Sequence, residues 1–415
     1  MKIGQFVGQF FKDIFFCGLD IGSQKVKACL GQVKDSNNLE LLAVYEVDTR
    51  GFRDASVNDI SAFSACIGSA LDAVAKKAQV RFRDVYLGVG GDLVETRVSR
   101  AVIPLAERGN KVITPADVRE ARRQARLLGV RLDEDVLCDF VQQFRVDDVN
   151  IALNPVGLCG RKLEVEVMLV VAGNTRLRNI TKAVKQAGFE VGNTFFNGQA
   201  LADTVLSMQQ KTDGIVLVDV GARSTQAMIF KEGLLKHYVK AATGCQEMTQ
   251  GIADALNIGP DLAEDVKRSY VRVRDDKTML KNDEILIKKD QAFVPVQRSV
   301  LSEAIEPQVV RLVEMIRGAV EASGYGNQLK GGMMMVGGGA LLPGFLERVE
   351  GNLGMPVALG RGIAGLNNAS SYCVCTSVAE LAYKGSHRYQ FDTRTAKDWM
   401  DAWKMKAEEI CNEYF

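Results

Sequence analysis

Apolar and polar positions along this chain follow the same plan twice. The first region has three strand-like segments, then a stretch with apolar residues at helical spacing, then a fourth strand-like segment, at residues 15–22, 23–33, 39–47, 59–79 and 85–91. Asp59 opens the helical stretch, where its carboxylate suits an N-cap. The pattern predicts a βββαβ unit.

A comparable unit opens in the second half of the chain. Its strand-like segments, its helical stretch and its last apolar strand with following glycines lie at residues 214–221, 224–235, 237–244, 249–258 and 331–345. In each unit an Asp-x-Gly triplet ends the first strand, and the two triplets stand about two hundred residues apart. This spacing indicates a duplication at the scale of a domain rather than a short solenoid repeat.

A segment of different character separates the two units. Residues 94–105 and 136–148 are strand-like, and residues 154–171 follow them. Residues 114–129 predict a helix with Thr114 as N-cap and Pro115 at its first position. We interpret residues 92–168 as an inserted β-plus-α subdomain. Residues 259–311 are less regular, and the charge-rich run at 271–290 is typical of the solvated surface of a small subdomain.

Composition narrows the possible classes of protein. A chain of 415 residues favours two or more domains. Its 52 basic and 51 acidic residues give a net charge of +1, which argues against a nucleic-acid partner. The nine cysteines include no CxxC pair, which favours a reduced, cytosolic protein over a disulfide framework. His237 and His387 stand far apart, which argues against a histidine-centred site.

Both ends of the chain carry amphipathic patterns. No apolar run reaches the roughly 18 residues of a spanning helix, and residues 1–16 lack the cleavage site of a signal peptide. We predict that residues 1–16 form a helix in the membrane interface, the alternative being a helix packed on the domain. Its apolar face would consist of Ile3, Phe6, Val7, Phe10, Phe11, Ile14 and Phe15.

The C-terminal pattern at residues 395–415 has three lysines against five acidic residues. An acidic helix suits an anionic membrane poorly, so we assign this segment to partner binding or intramolecular packing.

Three glycine-bearing loops could carry chemistry, at residues 20–25, 219–225 and 337–340. Gly22 and Gly221 allow backbone N–H groups to approach a phosphate, and a helix follows the third loop. Asp20 and Asp219 can each hold a metal ion through water. One such loop is a weak signal, but three in this order, each after an apolar strand, predict a nucleotide site.

The segments DIGSQKV, DVGARSTQ and MVGGGALLPGF resemble the phosphate-1, phosphate-2 and adenosine motifs of the actin-like ATPase superfamily. Within it the chain resembles the bacterial cell-division FtsA family over residues 17–384, through DVYLGVGGDLVETRVSRAVIPL, TPADVREARRQAR, NPVGLCGRKLEVEVMLV and LSEAIEPQVVRLVEMI. The resemblance implies an α/β, actin-like duplicated ATPase fold with two RNase H-like lobes and an inserted 1C subdomain of the SHS2 type. The NPVGLCG and AIEP segments favour this family over its cousin PilM, a platform of type IV pilus machines.

The resemblance also implies function. ATP and Mg²⁺ would lie between the lobes, and the protein would polymerise into protofilaments. It would tether the FtsZ ring to the cytoplasmic face of the inner membrane, bind membrane lipids there and recruit later divisome proteins. A sugar-kinase-like phosphotransferase is the enzyme alternative, but it needs a catalytic aspartate facing a substrate pocket and larger insertions.

The units implied by the resemblance have the following expected boundaries: amphipathic helix 1–16, lobe 1 core 17–91 and 169–210, 1C subdomain 92–168, lobe 2 core 211–244 and 312–384, subdomain 2B 245–311, and C-terminal tail 385–415.

The resemblance assigns individual residues as well. Asp20 and Asp219 would hold Mg²⁺ through water. On spacing alone, Glu264 and Lys267 are a surface pair on a helix, whereas the resemblance places them beside the adenosine. The full set implied to bind the nucleotide is Asp20, Gly22, Ser23, Gln24, Lys25, Asp219, Gly221, Arg223, Ser224, Thr225, Gly244, Glu264, Lys267, Gly337, Gly338, Gly339 and Ala340.

The second loop departs from the family pattern. Ala222 and Arg223 replace two glycines, and a Cβ there narrows the positive-φ conformations open to the loop. Arg223 adds a cation that either binds a phosphate or blocks the loop. Gln226 replaces a frequent Asp and so removes a carboxylate that could orient water or metal. The nearest candidates for a general base are Gln199 and Asp203, although Asp203 also fits a solvated helix. We expect ATP binding with slow or absent hydrolysis.

Overall fold

The first lobe begins with the predicted βββαβ unit. The computed structural model describes residues 14–35, 38–106, 109–273, 284–289, 292–362 and 369–386. The unit consists of β1 (Phe15–Ile21), β2 (Lys25–Asp35), β3 (Asn38–Asp48), the small hairpin β4 (Phe52–Arg53) and β5 (Ser56–Val57), α1 (Ile60–Ala78) and β6 (Asp84–Val89). Asp59 caps α1 as predicted, because its Oδ1 accepts hydrogen bonds from the backbone N–H groups of Ser61 and Ala62 at 2.9 and 3.0 Å.

The inserted segment folds into a sheet with one helix. Its elements are β7 (Val94–Pro104), β8 (Lys111–Val112), α2 (Pro115–Gly129), β9 (Glu134–Val146), β10 (Asn150–Ala152), β11 (Cys159–Gly160) and β12 (Lys162–Gly173). Four strands pair in the order β10-β9-β12-β7. Thr114 and Asp117 form a capping box with Pro115 in the first turn, as the sequence predicts for the start of α2. Ala121 and Ala125 of α2 are buried in the core of this segment.

The chain then returns to the first lobe through α3 (Asn174–Gln186), β13 (Glu190–Phe196), α4 (Asn197–Val205) and α5 (Met208–Asp213). The lobe's sheet has the order β13-β6-β1-β2-β3. β1 runs antiparallel to β2 and parallel to β6, and β6 runs parallel to β13.

The second lobe repeats this design. It contains β14 (Ile215–Val220), β15 (Thr225–Lys231), β16 (Leu234–Ala241), α6 (Cys245–Leu256), α7 (Pro260–Tyr270), β17 (Glu284–Lys289), β18 (Ala292–Gln297), α8 (Arg298–Ala322), β19 (Met333–Val336), α9 (Phe345–Leu353), β20 (Val357–Leu359) and α10, the helix at residues 373–386. Its sheet has the order β16-β15-β14-β19-β20. β14 is antiparallel to β15 and parallel to β19, which is the arrangement of β1 with β2 and β6.

The two sheets therefore have the same strand order and the same directions, which confirms the predicted duplication. Each lobe has a buried apolar core of its own. The last helix, α10, packs back on the first lobe, where Cys375 and Ala379 share a cluster with Phe16 and Cys29. Gly18 makes this approach possible, since a Cβ there would lie 2.0 Å from the Cys375 carbonyl oxygen. The end of the described chain thus ties the second lobe to the first.

Several sequence-based boundaries were wrong. The helix expected at 249–258 begins four residues earlier, at Cys245, and the strand expected at 85–91 ends at Val89. Within residues 154–171, a turn precedes β12, which begins at Lys162. The stretch expected to be irregular contains the long helix α8.

The predicted amphipathic helix also ends too late. Phe15 belongs to β1, where it pairs with Gln32, and Phe16 is 3% exposed. The carbonyl of Ile14 accepts a hydrogen bond from the backbone N–H of Val33 at 3.0 Å. Ile14 and Phe15 are therefore part of the β1–β2 hairpin and not of a helical membrane face. Ladder pairing with β2 and burial of Phe16 outweigh the helical spacing of these residues. The remaining predicted membrane residues, Ile3, Phe6, Val7, Phe10 and Phe11, and the C-terminal segment 395–415 lie outside the described residues.

Candidate functional site

Two turns of the same geometry lie at corresponding places in the two lobes. The β1–β2 turn is closed by a hydrogen bond from the Gly22 N–H to the Lys25 carbonyl, and the β14–β15 turn by one from the Gly221 N–H to the Ser224 carbonyl, both at 3.0 Å. A Cβ at Gly22 would lie 2.8 Å from the Lys25 oxygen, and one at Gly221 would lie 2.9 Å from the Ser224 oxygen. Glycine is needed in both turns because the backbone crosses itself too closely for a side chain.

The departure at Ala222 and Arg223 does not disturb this geometry. Neither residue has a positive φ, and neither Gly22 nor Gly221 has one. The turn therefore needs no positive φ at these two positions, and the restriction that a Cβ imposes there does not alter its backbone. The second turn keeps the backbone of the first and changes only the side chains that it presents.

A second pair of glycine segments follows the parallel neighbour of each first strand. β6 leads into a 3₁₀ turn at Gly91–Leu93, and β19 leads into one at Gly339–Leu341. Gly337 has a φ of 91°, and a Cβ there would lie 2.5 Å from the Val220 carbonyl oxygen and 2.6 Å from Asp219 Oδ1. The third predicted loop is thus packed directly against the second.

These four segments surround a cavity of about 820 Å³ between the lobes. That volume is typical of a small-molecule site. The first lobe contributes one turn and the second lobe the other, so the cavity is closed only when both lobes are present. The predicted residues that line it are Asp20, Gly22, Ser23, Gln24, Lys25, Asp219, Gly221, Arg223, Ser224, Glu264, Lys267, Gly337, Gly338 and Gly339.

Three other predicted binding residues lie behind the wall of the cavity: Thr225, Gly244 and Ala340 are not among its lining residues. Thr225 is buried and donates a hydrogen bond from Oγ1 to the Thr243 carbonyl at 2.9 Å. A Cβ at Gly244 would lie 2.5 Å from the Ala222 carbonyl oxygen, because α6 begins directly against the second turn. In this structure both residues fix the position of the turn.

Helix α6 points its N-terminus at the second turn. The backbone N–H groups of Cys245 and Gln246 donate to the Gly221 and Ala222 carbonyls at 3.1 and 2.7 Å. The turn uses these two N–H groups, and the positive end of the helix dipole beside it favours a negatively charged ligand. The second turn and α6 together form an environment suited to phosphate.

The half-buried carboxyl group of Asp20 and the buried one of Asp219 face the cavity from opposite lobes. Burial raises the pKa of Asp20 to about 6, and the charge of Lys27 acts in the opposite direction. Burial and the charge of Asp20 raise the pKa of Asp219 to about 6, again opposed by Lys27. Lys27 donates from Nζ to the Ser371 carbonyl at 2.6 Å. The two carboxylates are close enough to repel each other, which is an arrangement that a divalent cation would stabilise.

The Glu264–Lys267 pair is not the exposed pair that spacing alone predicts. Lys267 is 7% exposed. Its Nζ donates to Glu264 Oε2 at 2.6 Å, to Thr249 Oγ1 at 2.7 Å and to the Cys245 carbonyl at 3.2 Å. Burial raises the pKa of Glu264, but the hydrogen bonds from Lys267 and Thr249 outweigh it and hold this pKa at about 2. The pair joins α7 to α6 and lines one end of the cavity.

Gln226 is held in one orientation. Its Oε1 accepts a hydrogen bond from the Tyr238 hydroxyl at 2.8 Å, and its Nε2 donates to Asp219 Oδ2 at 3.5 Å. Burial raises the pKa of Tyr238, which keeps this hydroxyl protonated as a donor. The carboxamide therefore turns its NH₂ group toward the buried carboxylate, and an amide cannot accept a proton from water at neutral pH.

Arg223 reaches across the cavity to the other lobe. Its Nη1 lies 3.1 Å from Oδ1 of Asp54, at the tip of the β4–β5 hairpin, and its Nε donates to Gln246 Oε1 at 2.8 Å. The side chain therefore does not fill the turn, and it remains part of the cavity wall.

The two tentative base candidates lie elsewhere. Gln199 and Asp203 are not among the lining residues. Asp203 forms an ion pair with Lys211, with 2.7 Å between Oδ1 and Nζ. The structure does not bring either side chain to the cavity.

Several lining residues escaped the sequence analysis. Gly90 and Gly91 belong to a segment that was interpreted only as a strand, although a Gly-Gly pair after an apolar strand is a loop signal. Asn197 is 7% exposed, and its Oδ1 has no hydrogen-bond partner among the described residues. Lys27 and Asp54 reach the cavity only through the pairing of β1 with β2 and the small hairpin, which no local pattern contains.

Comparison with known proteins decides the family. The model of the cell division protein FtsA matches residues 216–379, and the model of the SHS2 domain inserted in FtsA matches residues 91–171. The two ranges together make up more than half of the chain. The chain belongs to the FtsA family.

Relatives within the FtsA family align over most of their length. The cell division protein FtsA of Pseudomonas aeruginosa is 28% identical over 345 residues, which are 83% of this chain and 82% of that protein. The FtsA of Escherichia coli strain K12 is 27% identical over 390 residues, which are 89% of this chain and 90% of that protein.

Solved structures agree on an actin-like fold. A chain of the PilM-PilN type IV pilus biogenesis complex superposes with a TM-score of 0.63 at 17% identity, over 89% of this chain and 98% of that one. MreB 5 of Spiroplasma citri bound to AMPPNP superposes with a TM-score of 0.50 at 12% identity, over 91% and 98%. The predicted fold class, with its inserted SHS2-type subdomain, and the predicted family are confirmed. None of the described helices is long and apolar enough to cross a bilayer.

Proposed function

We propose that this protein binds ATP between its two lobes and uses the bound nucleotide to control its assembly in bacterial cell division. The observation that supports this most strongly is the pair of matched turns at Gly22 and Gly221, which approach one cavity from opposite lobes. A ligand with several phosphates can bridge such turns. The relative position of the two lobes then depends on whether the ligand is bound.

The two ends of the cavity suit the two parts of a nucleotide. The turns, with Ser23, Lys25 and Ser224, offer backbone and side-chain donors for the phosphates. Glu264, Lys267 and Gly337–Gly339 also line the cavity, and we assign them to the adenosine from the family resemblance. Isothermal titration of the purified protein with ATP tests the proposal directly, and absence of binding would sink it.

Magnesium fits the carboxyl groups at the phosphate end. Asp20 is half-buried, Asp219 is buried, and the two repel each other, so a divalent ion held through water would favour their ionised forms. Among the described residues no cluster of three or more metal-ligating side chains occurs. A bound Mg²⁺ would therefore take its other ligands from water and phosphate oxygens, and it would neutralise phosphate charge there.

We infer that hydrolysis is slow or absent. Gln226 presents an amide where a base would be useful, and its orientation is fixed by Tyr238. Asn197, which lines the cavity from the first lobe, also carries a carboxamide. Phosphate release that is no faster than spontaneous loss, in protein that binds ATP, is the expected result. Steady turnover at the rate of an efficient ATPase would contradict it.

Membership of the FtsA family supports the cellular role. We propose that the protein polymerises at the cytoplasmic face of the inner membrane, tethers the FtsZ ring at the division site and recruits later divisome proteins. Co-sedimentation with FtsZ on lipid vesicles, with and without ATP, tests this, and the expected result is ATP-dependent recovery of FtsZ with the vesicles.

The membrane contact is assigned to the N-terminal apolar residues Ile3, Phe6, Val7, Phe10 and Phe11. Vesicle pelleting of variants that lack residues 1–13 or 395–415 tests this assignment. Binding that is lost only without the C-terminal segment would reverse it.

A PilM-like role in a pilus machine is the second candidate, favoured by the superposition with a PilM-PilN complex. Sequence identity of 28% to an FtsA protein, against 17% to that chain, favours the division role. Affinity capture that recovered pilus components and no FtsZ would favour the second candidate.

A further inference from the structure

The ion pair between Arg223 and Asp54 joins the two lobes at the edge of the cavity. Arg223 belongs to the second lobe, and Asp54 belongs to the small hairpin of the first. Asp54 and Ala55 both have positive φ, at 51° and 55°, so the hairpin has a tight two-residue turn. The pair therefore connects two turns, and the Asp54 side chain is 78% exposed.

The guanidinium has further donors to offer. Its Nε is used by Gln246 and its Nη1 by Asp54, while within the described part of the chain Nη2 has no hydrogen-bond partner. A guanidinium has five N–H donors in a planar fork, which matches two oxygens of a phosphate. Arg223 is therefore equipped to bind a phosphate group if the Asp54 carboxylate gives up its place.

The position of Arg223 indicates which phosphate it would meet. The lobes touch directly beside it, since a Cβ at Gly91 would lie 3.0 Å from Ser224 Oγ. Lys267 contacts Cys245 and Thr249 in the first turn of α6 from the side of α7, whereas Ser224 faces Gly91 of the first lobe. A nucleotide with its adenosine at Lys267 would direct its last phosphate toward the place where the lobes meet, next to Arg223.

We propose that Arg223 selects nucleoside triphosphates over diphosphates by exchanging the Asp54 carboxylate for the terminal phosphate. This inference rests on the proposed binding of ATP in the cavity. In the exchange, one anion replaces another on the same cation, and the constraint between the β4–β5 hairpin and the second turn is released. Triphosphate binding would then alter how the lobes are held together, whereas diphosphate binding would leave the ion pair in place.

Affinities for AMPPNP and for ADP, measured by titration of the full chain, test the exchange. Arg223→Ala is expected to lower the affinity for AMPPNP about tenfold, as the loss of a charge-assisted hydrogen bond does, and to change that for ADP less than about threefold. Asp54→Asn is expected to raise the affinity for AMPPNP about threefold, because a partly exposed ion pair competes only weakly.

The double variant separates exchange from simple repulsion. If Asp54 acts through Arg223, the gain from Asp54→Asn disappears in the Arg223→Ala background. Arg53→Gln is the matched control, because Arg53 also faces Asp54, with 3.6 Å between Nε and Oδ2, but is absent from the cavity lining. It is expected to leave the ratio of the two affinities unchanged.

Three results have distinct meanings. Equal losses for AMPPNP and ADP in Arg223→Ala would overturn the selection of the terminal phosphate. A gain from Asp54→Asn that persists without Arg223 would overturn the exchange while leaving nucleotide binding intact. Failure of the wild-type protein to bind either nucleotide would contradict the proposed function itself.

Discussion

The turn of the first lobe and the turn of the second have the same backbone and different side chains. Both are closed by a hydrogen bond of 3.0 Å from a glycine N–H to the carbonyl three residues later. The first presents Ser23, Gln24 and Lys25, and the second presents Ala222, Arg223 and Ser224. The turn geometry therefore requires the glycine, because a Cβ there would lie too close to the backbone. The three side chains that follow the glycine can differ without changing that geometry.

The same contrast extends to the following strands. Lys27 in β2 follows Asp20, and Gln226 in β15 follows Asp219, by the same number of residues along the chain. Lys27 adds a positive charge near both carboxyl groups, and Gln226 adds a neutral amide that is hydrogen-bonded to Tyr238. The site thus carries extra cations and lacks the carboxylate that hydrolysis would use. This combination supports the proposal of nucleotide binding without rapid turnover.

The largest effect is expected from substitutions that fill the space at either turn. Gly22→Ala and Gly221→Ala place a Cβ 2.8 and 2.9 Å from a backbone oxygen. Overpacking of this kind costs about 1–3 kcal/mol, so each substitution is expected to lower ATP affinity about tenfold to a hundredfold. Titration calorimetry measures it. Gly259→Ala is the control, because nothing lies within 4 Å of the added Cβ. A large loss in only one turn would show that the two do not act together.

Removing the buried cation of the second lobe comes next. Lys267→Met removes one of the two donors that lie 2.6 Å from Glu264 Oε2, in a place where the lysine is 7% exposed. The loss of one partner from a largely buried ion pair is expected to lower the free energy of unfolding by about 2 kcal/mol. Urea denaturation measures the change. Arg268→Gln, which removes the exposed partner of the same carboxylate, should cost less than about 0.5 kcal/mol. Equal losses of unfolding free energy in the two variants would mean that the burial of Lys267 does not contribute to stability.

Restoring a carboxylate at Gln226 sharpens the contrast between the two strands. Gln226→Glu keeps the shape and the acceptor for the Tyr238 hydroxyl but supplies a base. Phosphate release is expected to rise at least about tenfold, at the low end of what a positioned base contributes. Gln226→Met serves as the control, since it removes the amide without adding a base. An unchanged rate in Gln226→Glu would show that another feature limits hydrolysis.

The smallest effect concerns pH. The carboxyls of Asp20 and Asp219 have pKa values raised to about 6 by burial, and Mg²⁺ needs them ionised. Affinity for Mg²⁺–ATP is therefore expected to fall as pH drops below 6, about fourfold between pH 7.5 and 5.5 for each carboxylate that must ionise.

Without ligand, the stability of the folded protein changes with pH in the opposite direction to the affinity for Mg²⁺–ATP. A folded pKa above the ordinary value of 3.8 means that the folded protein holds these protons more tightly, so stability falls as pH rises from about 4 to about 6. Affinity that does not change with pH while Asp20→Asn alters it would contradict the assignment of these carboxyls.

The sequence predicted those features of the fold and the site that depend on residues close in sequence, and it missed those that depend on contacts between distant residues. The βββαβ units, the N-caps at Asp59 and Thr114, and the glycines of the three loops follow from residues close in sequence. Asn197, Lys27 and Asp54 enter the cavity through sheet pairing and lobe contact, so no pattern around them indicates a site. The surface interpretation of Lys267 failed for the same reason, because α6 covers it from 18 residues away.

The most direct test of the central claim is hydrogen–deuterium exchange with and without AMPPNP and Mg²⁺. If one nucleotide is held by both lobes, the backbone amides of residues 22–25 and 221–225 become protected together, at the same ligand concentration. Protection of one turn without the other, or of neither, would contradict binding between the lobes.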